Sequence, residues 1–129
     1  MHQDNSAATS HAGKHVLIVD DDRRILSIIE NWLTTAGYSV MACSEYQAAR
    51  DHLTRTRPDV LLTDVRLGAF NGLQLAMFAK AQKPNTRTMV MSGFDDQLLQ
   101  NEAARYGACF IAKPFTCAEV LVALENVTH

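Results

Sequence analysis

Long hydrophobic stretches, an excess of one charge sign and abundant cysteine are all missing from this sequence. None of its apolar runs approaches the roughly 20 residues that span a bilayer, and its first residues lack the apolar segment of a signal peptide. Its 12 Lys and Arg residues nearly balance its 14 Asp and Glu residues, which argues against a strongly basic nucleic-acid surface or a polybasic membrane anchor. We therefore expect a cytoplasmic protein with no direct nucleic-acid or membrane partner.

The scarcity of cysteine also limits the chemistry of the chain. Cys43, Cys109 and Cys117 are odd in number and show neither zinc-ligand nor Cys-x-x-Cys spacing. Free cysteine usually behaves as a small buried hydrophobic residue. The sequence therefore predicts reduced, mostly buried thiols.

The chain length of 129 residues suits one folded domain. Residues 1–14 are small and polar, without periodicity, so they cannot bury enough apolar surface to offset the entropy lost on ordering. The sequence predicts a disordered N-terminal tail over 1–14 and a single domain over 15–129, with no room for a fused effector domain.

Short apolar runs recur along the rest of the chain and predict β-strands. Continuously apolar strands are typical of a sheet that is covered on both faces. The predicted strands are Val16–Val19, Tyr38–Cys43, Val60–Leu62, Met89–Met91 and Cys109–Ala112.

Amphipathic helices are predicted between these strands. In the first of them the apolar residues share one stripe: Ile25, Ile28, Ile29, Trp32 and Leu33. Gly37 and Gly107 each follow a helical stretch, where a left-handed residue closes the last turn. Five β/α units at this spacing predict a doubly wound α/β fold, with a five-stranded parallel sheet and helices on both faces.

Three segments carry signals for helix N-termini. Ser44 with Gln47, and Thr116 with Glu119, have the spacing of a capping box, in which each residue binds the backbone of the other. Asp22 stands just before the first helix, where aspartate is a favoured N-cap.

Polar residues follow the predicted strands at their carboxyl ends, where doubly wound sheets bind ligands. They are Asp20, Asp21 and Asp22 after the first strand, Asp64 after the third, Ser92 after the fourth and Lys113 after the fifth. Converging carboxylates repel one another unless protons or a cation intervene, and an all-oxygen set suits Mg²⁺. Such an ion keeps positions open for phosphoryl oxygens, and a carboxylate can attack a phosphoryl group to give an acyl phosphate.

These motifs match a known family over most of the chain. From His15 to Val127 the sequence resembles the receiver (CheY-like) domain of two-component response regulators, with VLIVDDD at the first strand, LLTDVRLGAFNG at the third, VMSG at the fourth and AKPF at the fifth. The resemblance implies a flavodoxin-like (βα)5 receiver domain over 15–129. It also implies a signalling phosphoprotein that catalyses only its own phosphorylation and dephosphorylation.

The resemblance implies a metal site and a phosphoacceptor. Asp64 corresponds to the phosphoacceptor of the family. Asp21, Asp64 and the backbone carbonyl of Arg66 correspond to direct Mg²⁺ ligands, and Asp20 to the member that acts through a water molecule.

Further matching residues correspond to the phosphate contact and to the switch. Lys113 matches the lysine that contacts the phosphoryl group, and the Lys113–Pro114 bond is expected to be cis. Ser92 matches the switch hydroxyl and Phe110 the switch aromatic residue.

Two positions differ from the residues that are usual in the family, and a third carries a hypothesis on the lifetime of the phosphoryl group. The fourth residue after the acceptor, usually proline, is Gly68, which predicts a more flexible loop over 65–71. Phe110 lacks the hydroxyl of the commoner tyrosine, so it can only move apolar surface. Phe94 is hypothesised to lie over the acceptor and to slow the attack of water.

The expected partners follow from the same resemblance. The phosphoryl donor would be a sensor histidine kinase or a phosphotransfer protein. The output would pass through the fourth helix, fifth strand and fifth helix. It would reach a downstream effector protein or an output domain missing from this chain. The domain could also form a dimer that depends on phosphorylation.

Other classes of function are open to an acidic α/β domain. A Mg²⁺-dependent aspartyl-phosphate phosphatase places its nucleophile on the first strand in a DxD pattern, whereas here the candidate ends the third. A flavodoxin-like cofactor binder needs Ser, Thr and Gly amide donors after the first strand rather than three aspartates. A phosphorylation-independent interaction module, or pseudo-receiver, would be expected to lose Asp21, Asp64 or Lys113.

Overall fold

A computed structural model describes residues 14–93 and 97–128. Phe94, and the predicted tail apart from Lys14, lie outside the described residues. In chain order the elements are β1 (His15–Val19), α1 (Arg23–Thr35), β2 (Ser39–Cys43), α2 (Tyr46–Arg55), β3 (Val60–Asp64), a hairpin of two short strands (Arg66–Leu67 and Phe70–Asn71), α3 (Gly72–Gln82), β4 (Arg87–Ser92), α4 (Gln97–Arg105), β5 (Cys109–Ala112) and α5 (Cys117–Thr128).

The five long strands form one parallel sheet in the order β2–β1–β3–β4–β5. This confirms the predicted doubly wound fold and each predicted strand. The chain moves outward from β1 to one edge through β2, then crosses to the other side through β3. This reversal lies between β1 and β3, and the crevice that binds ligands in such sheets lies there, beyond the strands' carboxyl ends.

Both faces of the central strands are buried because helices cover each side. On β1, Val16 and Ile18 pack into one core with α1 and α5. Leu17 and Val19 pack into the other with α2 and α3. Every residue of β3 is buried, so Asp64 ends a strand that the core fixes in place.

The helix ends agree only in part with the sequence. Asp22 accepts hydrogen bonds from the N–H groups of Arg24 and Ile25, which confirms the cap of α1. Thr116 and Glu119 form the predicted reciprocal box, at 2.7 and 3.1 Å. The Ser44 box is wrong: α2 begins at Tyr46, one residue too late for this pair.

Gln47 turns along its own helix instead of back toward Ser44. Its side-chain amide donates to Asp51, one turn further on, at 3.0 Å. The predicted left-handed residues are confirmed, with φ of 102° at Gly37 and 75° at Gly107.

The cysteine prediction is wrong in its burial. Cys109 is exposed, and Cys43 and Cys117 are half-buried. Cys43 and Cys109 lie on β2 and β5, the two edges of the sheet, where neighbours cover a strand on one side only.

Only some of the residues in the predicted apolar stripe of α1 are buried. Ile29 and Leu33 are fully buried, but Ile28 is 49% exposed. Trp32 is half-buried and meets the edge of Phe115 at 6.3 Å between ring centroids. None of the helices in the described part of the chain is long and apolar enough to cross a membrane.

Candidate functional site

An acidic cluster lies at the carboxyl end of the sheet. Asp20 directly follows β1, and Asp64 ends the neighbouring strand β3, so the pairing of these strands brings the two carboxylates together. Asp21 extends the cluster outward, and oxygens of all three side chains lie within 4.8 Å of one another. Asp20 is fully buried and Asp64 nearly so, whereas Asp21 is exposed.

Lys113 enters this cluster from β5. Its Nζ donates to Asp20 Oδ2 at 2.9 Å and lies 3.2 Å from Asp64 Oδ1. The Lys113 backbone N–H binds the carbonyl of Ser92 at 2.7 Å, which holds the start of this loop against the end of β4. The Lys113–Pro114 bond is cis, as the resemblance implies.

The charges of these groups shift their pKa values. Burial raises the pKa of Asp64 above its usual value; Lys113 opposes this shift, and the nearby charges of Asp20 and Asp21 add to it. Burial alone would lower the pKa of Lys113, but the hydrogen bond that Lys113 donates to Asp20 and the charge of Asp64 outweigh it and raise that pKa. Among the described residues, three carboxylates thus face the Lys113 ammonium, a balance that a bound cation would improve.

A cavity of about 330 Å³ opens beside Asp64. Its other lining residues are Val65, Arg66, Ser92, Gly93, Leu99 and Lys113. The structure therefore brings together the predicted acceptor, the predicted lysine and the predicted switch hydroxyl, and it puts Arg66 at the rim. The cavity has room and polar groups for a small anionic substrate.

The predicted flexible loop is a short hairpin. Arg66 pairs with Asn71 and Leu67 with Phe70, which leaves Gly68 and Ala69 as a two-residue turn. Gly68 has a φ of 62° and Ala69 a negative φ, the pattern of a type II′ turn, which takes glycine at its first central position. The Gly68 N–H donates to Asp21 Oδ2 at 3.1 Å, a contact that sequence reasoning missed.

Gly72, the first residue of α3, is also part of the site's framework. A Cβ atom here would overlap the backbone carbonyl of Asp64 and crowd the Thr63 hydroxyl. The Gly72 N–H donates to Val65 at 2.6 Å. The close approach of α3 to the acceptor therefore requires glycine, and no local signal in the sequence shows this.

Gly72→Ala is expected to destabilise the fold by about 1–3 kcal/mol, because the methyl group must push the Asp64 backbone or α3 aside. Urea unfolding measures this change. Gly93→Ala is the matched control, since a Cβ at Gly93 meets nothing within 4 Å. Equal stability of the two variants would contradict the proposed packing.

Comparison with known proteins decides the family. The sequence profile of the response regulator receiver domain matches residues 16–125. The chain belongs to this family. It is 31% identical to the chemotaxis protein CheY of Thermotoga maritima over 118 residues, covering 90% of this chain and 98% of CheY.

Other relatives place the receiver domain within longer proteins. It is 33% identical to the DNA-binding transcriptional regulator NtrC of Proteus hauseri, covering 89% of this chain but 25% of NtrC. A response regulator from Burkholderia pseudomallei, crystallised with a phosphorylated aspartic acid, a calcium ion and citrate, superposes with a TM-score of 0.82 at 25% identity, covering 89% of this chain and 69% of that one.

The family match makes this receiver domain a component of two-component signalling and phosphorelay systems. Receiver domains generally serve in signalling rather than in catalysis, which weighs against the phosphatase alternative. They bind Mg²⁺ at an acidic pocket and work with histidine kinases and output domains.

Phe110 lies apart from the acidic cavity of the receiver domain. It lies on β5 next to Val90 of β4 and is half-buried. It lines a shallow surface groove with Phe115, which precedes α5, and Val122 of α5. A second apolar groove runs from Ile28 of α1 to Phe115 and reaches Lys113 at the edge of the acidic site.

Proposed function

We propose that this receiver domain accepts a phosphoryl group on Asp64 from a phosphohistidine of a sensor histidine kinase or phosphotransfer protein, in a Mg²⁺-dependent reaction. The observation that carries the proposal is the placement of Asp64 beside an open cavity, in contact with the Lys113 ammonium and close to two further carboxylates. We expect the reaction to take place in the cytoplasm.

The acidic cluster fits the metal that the family implies. Its ligand atoms are carboxylate oxygens, the donors that Mg²⁺ prefers. Asp20, Asp21, Asp64 and the backbone carbonyl of Arg66 would hold the ion. When bound, Mg²⁺ would offset negative charge on the donor and on the product.

The residues of the chain supply the remaining chemistry. A carboxylate oxygen of Asp64 attacks the phosphorus atom, an O–P bond forms, and the P–N bond of the phosphohistidine breaks with its electron pair leaving on the imidazole. Lys113 neutralises one phosphoryl oxygen, and the Ser92 hydroxyl donates to another. The phosphorylated aspartic acid in the Burkholderia pseudomallei relative supports this assignment.

Phosphorylation would then switch a surface of the domain. The group adds about 1.5 to 2 negative charges at the cavity, enough to draw Ser92 inward. Phe110 would move apolar surface on the face formed by α4, β5 and α5. That face would engage a downstream effector protein, an output domain or a second copy of the chain.

The apolar groove beside the acidic site suits the phosphodonor. It combines half-exposed Ile28 with Trp32 and Phe115 and ends at Lys113. A partner helix seated there would bring its phosphohistidine to the cavity.

The decisive experiment incubates the protein with acetyl phosphate, with and without Mg²⁺, and measures its intact mass. We expect a single phosphoryl adduct that forms in the presence of Mg²⁺ and does not form when the incubation contains excess chelator. A folded protein that gains no adduct would contradict the proposal and favour the phosphorylation-independent interaction module.

A further inference from the structure

The exposed metal ligand Asp21 needs a structural support that the buried carboxylates do not. Asp20 is held by Lys113 Nζ and by the N–H of Asp22, at 2.9 Å each. Asp64 is fixed by β3 and by Lys113. Within the described residues, the Gly68 N–H is the hydrogen-bond donor to the Asp21 side chain. Without it, an exposed aspartate would be free to turn toward solvent.

We propose that the backbone N–H of Gly68 is a positioning group for Asp21, and that the Gly68 turn is part of the Mg²⁺ site. The inference rests on the proposed function, since it assumes that Asp21 ligates the ion. The N–H occupies Oδ2 of Asp21 and leaves the other carboxylate oxygen for the metal. Ligating carboxylates commonly depend on such outer hydrogen bonds.

This donor exists because the chain departs from its family at Gly68. Proline, the usual residue there, has no N–H, and its φ near −65° cannot match the 62° observed. From the sequence, glycine in place of proline at position 68 predicts only a more flexible loop. In the structure, the same glycine adds a contact between the hairpin and the metal site.

The hairpin is anchored on its other side, so the donor is held in a fixed place. The Phe70 ring stacks on Tyr46 of α2, with centroids 4.6 Å apart and planes 11° from parallel. The Asn71 side chain accepts from the N–H of Leu73 at 2.7 Å and caps α3. Gly68 thus links Asp21 to two helices that pack on the core.

The sharpest test replaces the Gly68 amide with an ester, by incorporating glycolic acid at this position, and measures Mg²⁺ binding by calorimetry. This change removes the N–H and keeps the flexible backbone. We expect Mg²⁺ to bind about tenfold more weakly than to the wild type, the lower end of the loss seen for outer-sphere partners. Gly68→D-Ala is the matched control, because it retains the N–H and a D-residue suits the positive φ of this turn position, and we expect near wild-type affinity.

A second variant reaches the donor indirectly. Phe70→Ala leaves the Gly68 N–H in place but removes the stack on Tyr46, so Mg²⁺ affinity is expected to fall by less than in the ester protein. Circular dichroism checks that each protein is folded. Equal or tighter Mg²⁺ binding by the folded ester protein would overturn this inference alone, whereas a wild-type protein that binds no Mg²⁺ would overturn the proposed metal site as well.

Discussion

Asp64→Asn is expected to abolish the phosphoryl adduct that the wild-type protein forms with acetyl phosphate and Mg²⁺. The proposed reaction needs the electron pair of a carboxylate oxygen, and an amide of nearly the same size is a far weaker nucleophile. Intact mass spectrometry measures the adduct, and peptide mapping of the wild-type protein locates it.

The control for this experiment makes the same chemical change outside the cluster. Asp22 lies two residues from Asp20, but its carboxylate caps α1, and asparagine is an equally good N-cap. Asp22→Asn is therefore expected to gain the adduct like the wild type. An adduct that persists in Asp64→Asn would refute the assignment of the acceptor.

Loss of the adduct must come from chemistry and not from unfolding. Burial and the charges of Asp20 and Asp21 raise the pKa of Asp64, which means that its ionised form is destabilised in the metal-free protein. Asp64→Asn removes that repulsion and should leave the fold at least as stable as the wild type in chelator. Thermal unfolding by circular dichroism verifies this.

The site could be predicted from the sequence because its residues are tied to strand ends. Asp64 is the last residue of β3 and Lys113 the first after β5, so knowing that the strands are parallel is enough to place both side chains at one edge. Parallel pairing in turn follows from the apolar runs and the helices between them. The prediction needed no knowledge of side-chain contacts.

Burial at the sheet edges could not be predicted in this way. The run Cys109–Ala112 is as apolar as the run that became β3, yet it is exposed or half-buried while β3 is fully buried. The difference depends on the order of the strands in space, which short apolar runs do not encode. The misplaced thiols of Cys43 and Cys109 have this cause.

The contacts of Gly68 and Gly72 were beyond sequence reasoning for a related reason. The hydrogen bond from Gly68 reaches Asp21 across 47 positions of the chain. Gly72 is required because α3 approaches the backbone of Asp64, and this distance is set by the packing of the whole helix on the sheet. A glycine in the sequence indicates freedom of the backbone, but only the fold shows how it is used.

Lys113→Met is expected to slow phosphorylation of Asp64 severely and to destabilise the metal-free protein by about 3 kcal/mol. Methionine keeps the length and apolar stem of the side chain but removes the ammonium that Asp20 and Asp64 share. Asp20 is fully buried, and removing one partner of a buried ion pair typically costs about 3–5 kcal/mol of folding stability. We expect the lower end of this range because Lys113 is partly exposed. Urea unfolding in chelator measures the stability, and adduct mass against time measures the reaction.

Two comparisons separate loss of the ammonium from loss of a side chain. Lys80→Met makes the same substitution at an exposed lysine that binds the Tyr106 carbonyl, and it should change the stability by less than about 0.5 kcal/mol. Saturating Mg²⁺ should stabilise Lys113→Met more than it stabilises the wild type, because three carboxylates without their ammonium bind a cation more tightly and ligand binding stabilises the folded state. If Mg²⁺ instead stabilised both proteins equally, Lys113 would not be the cation that balances the charge of this cluster.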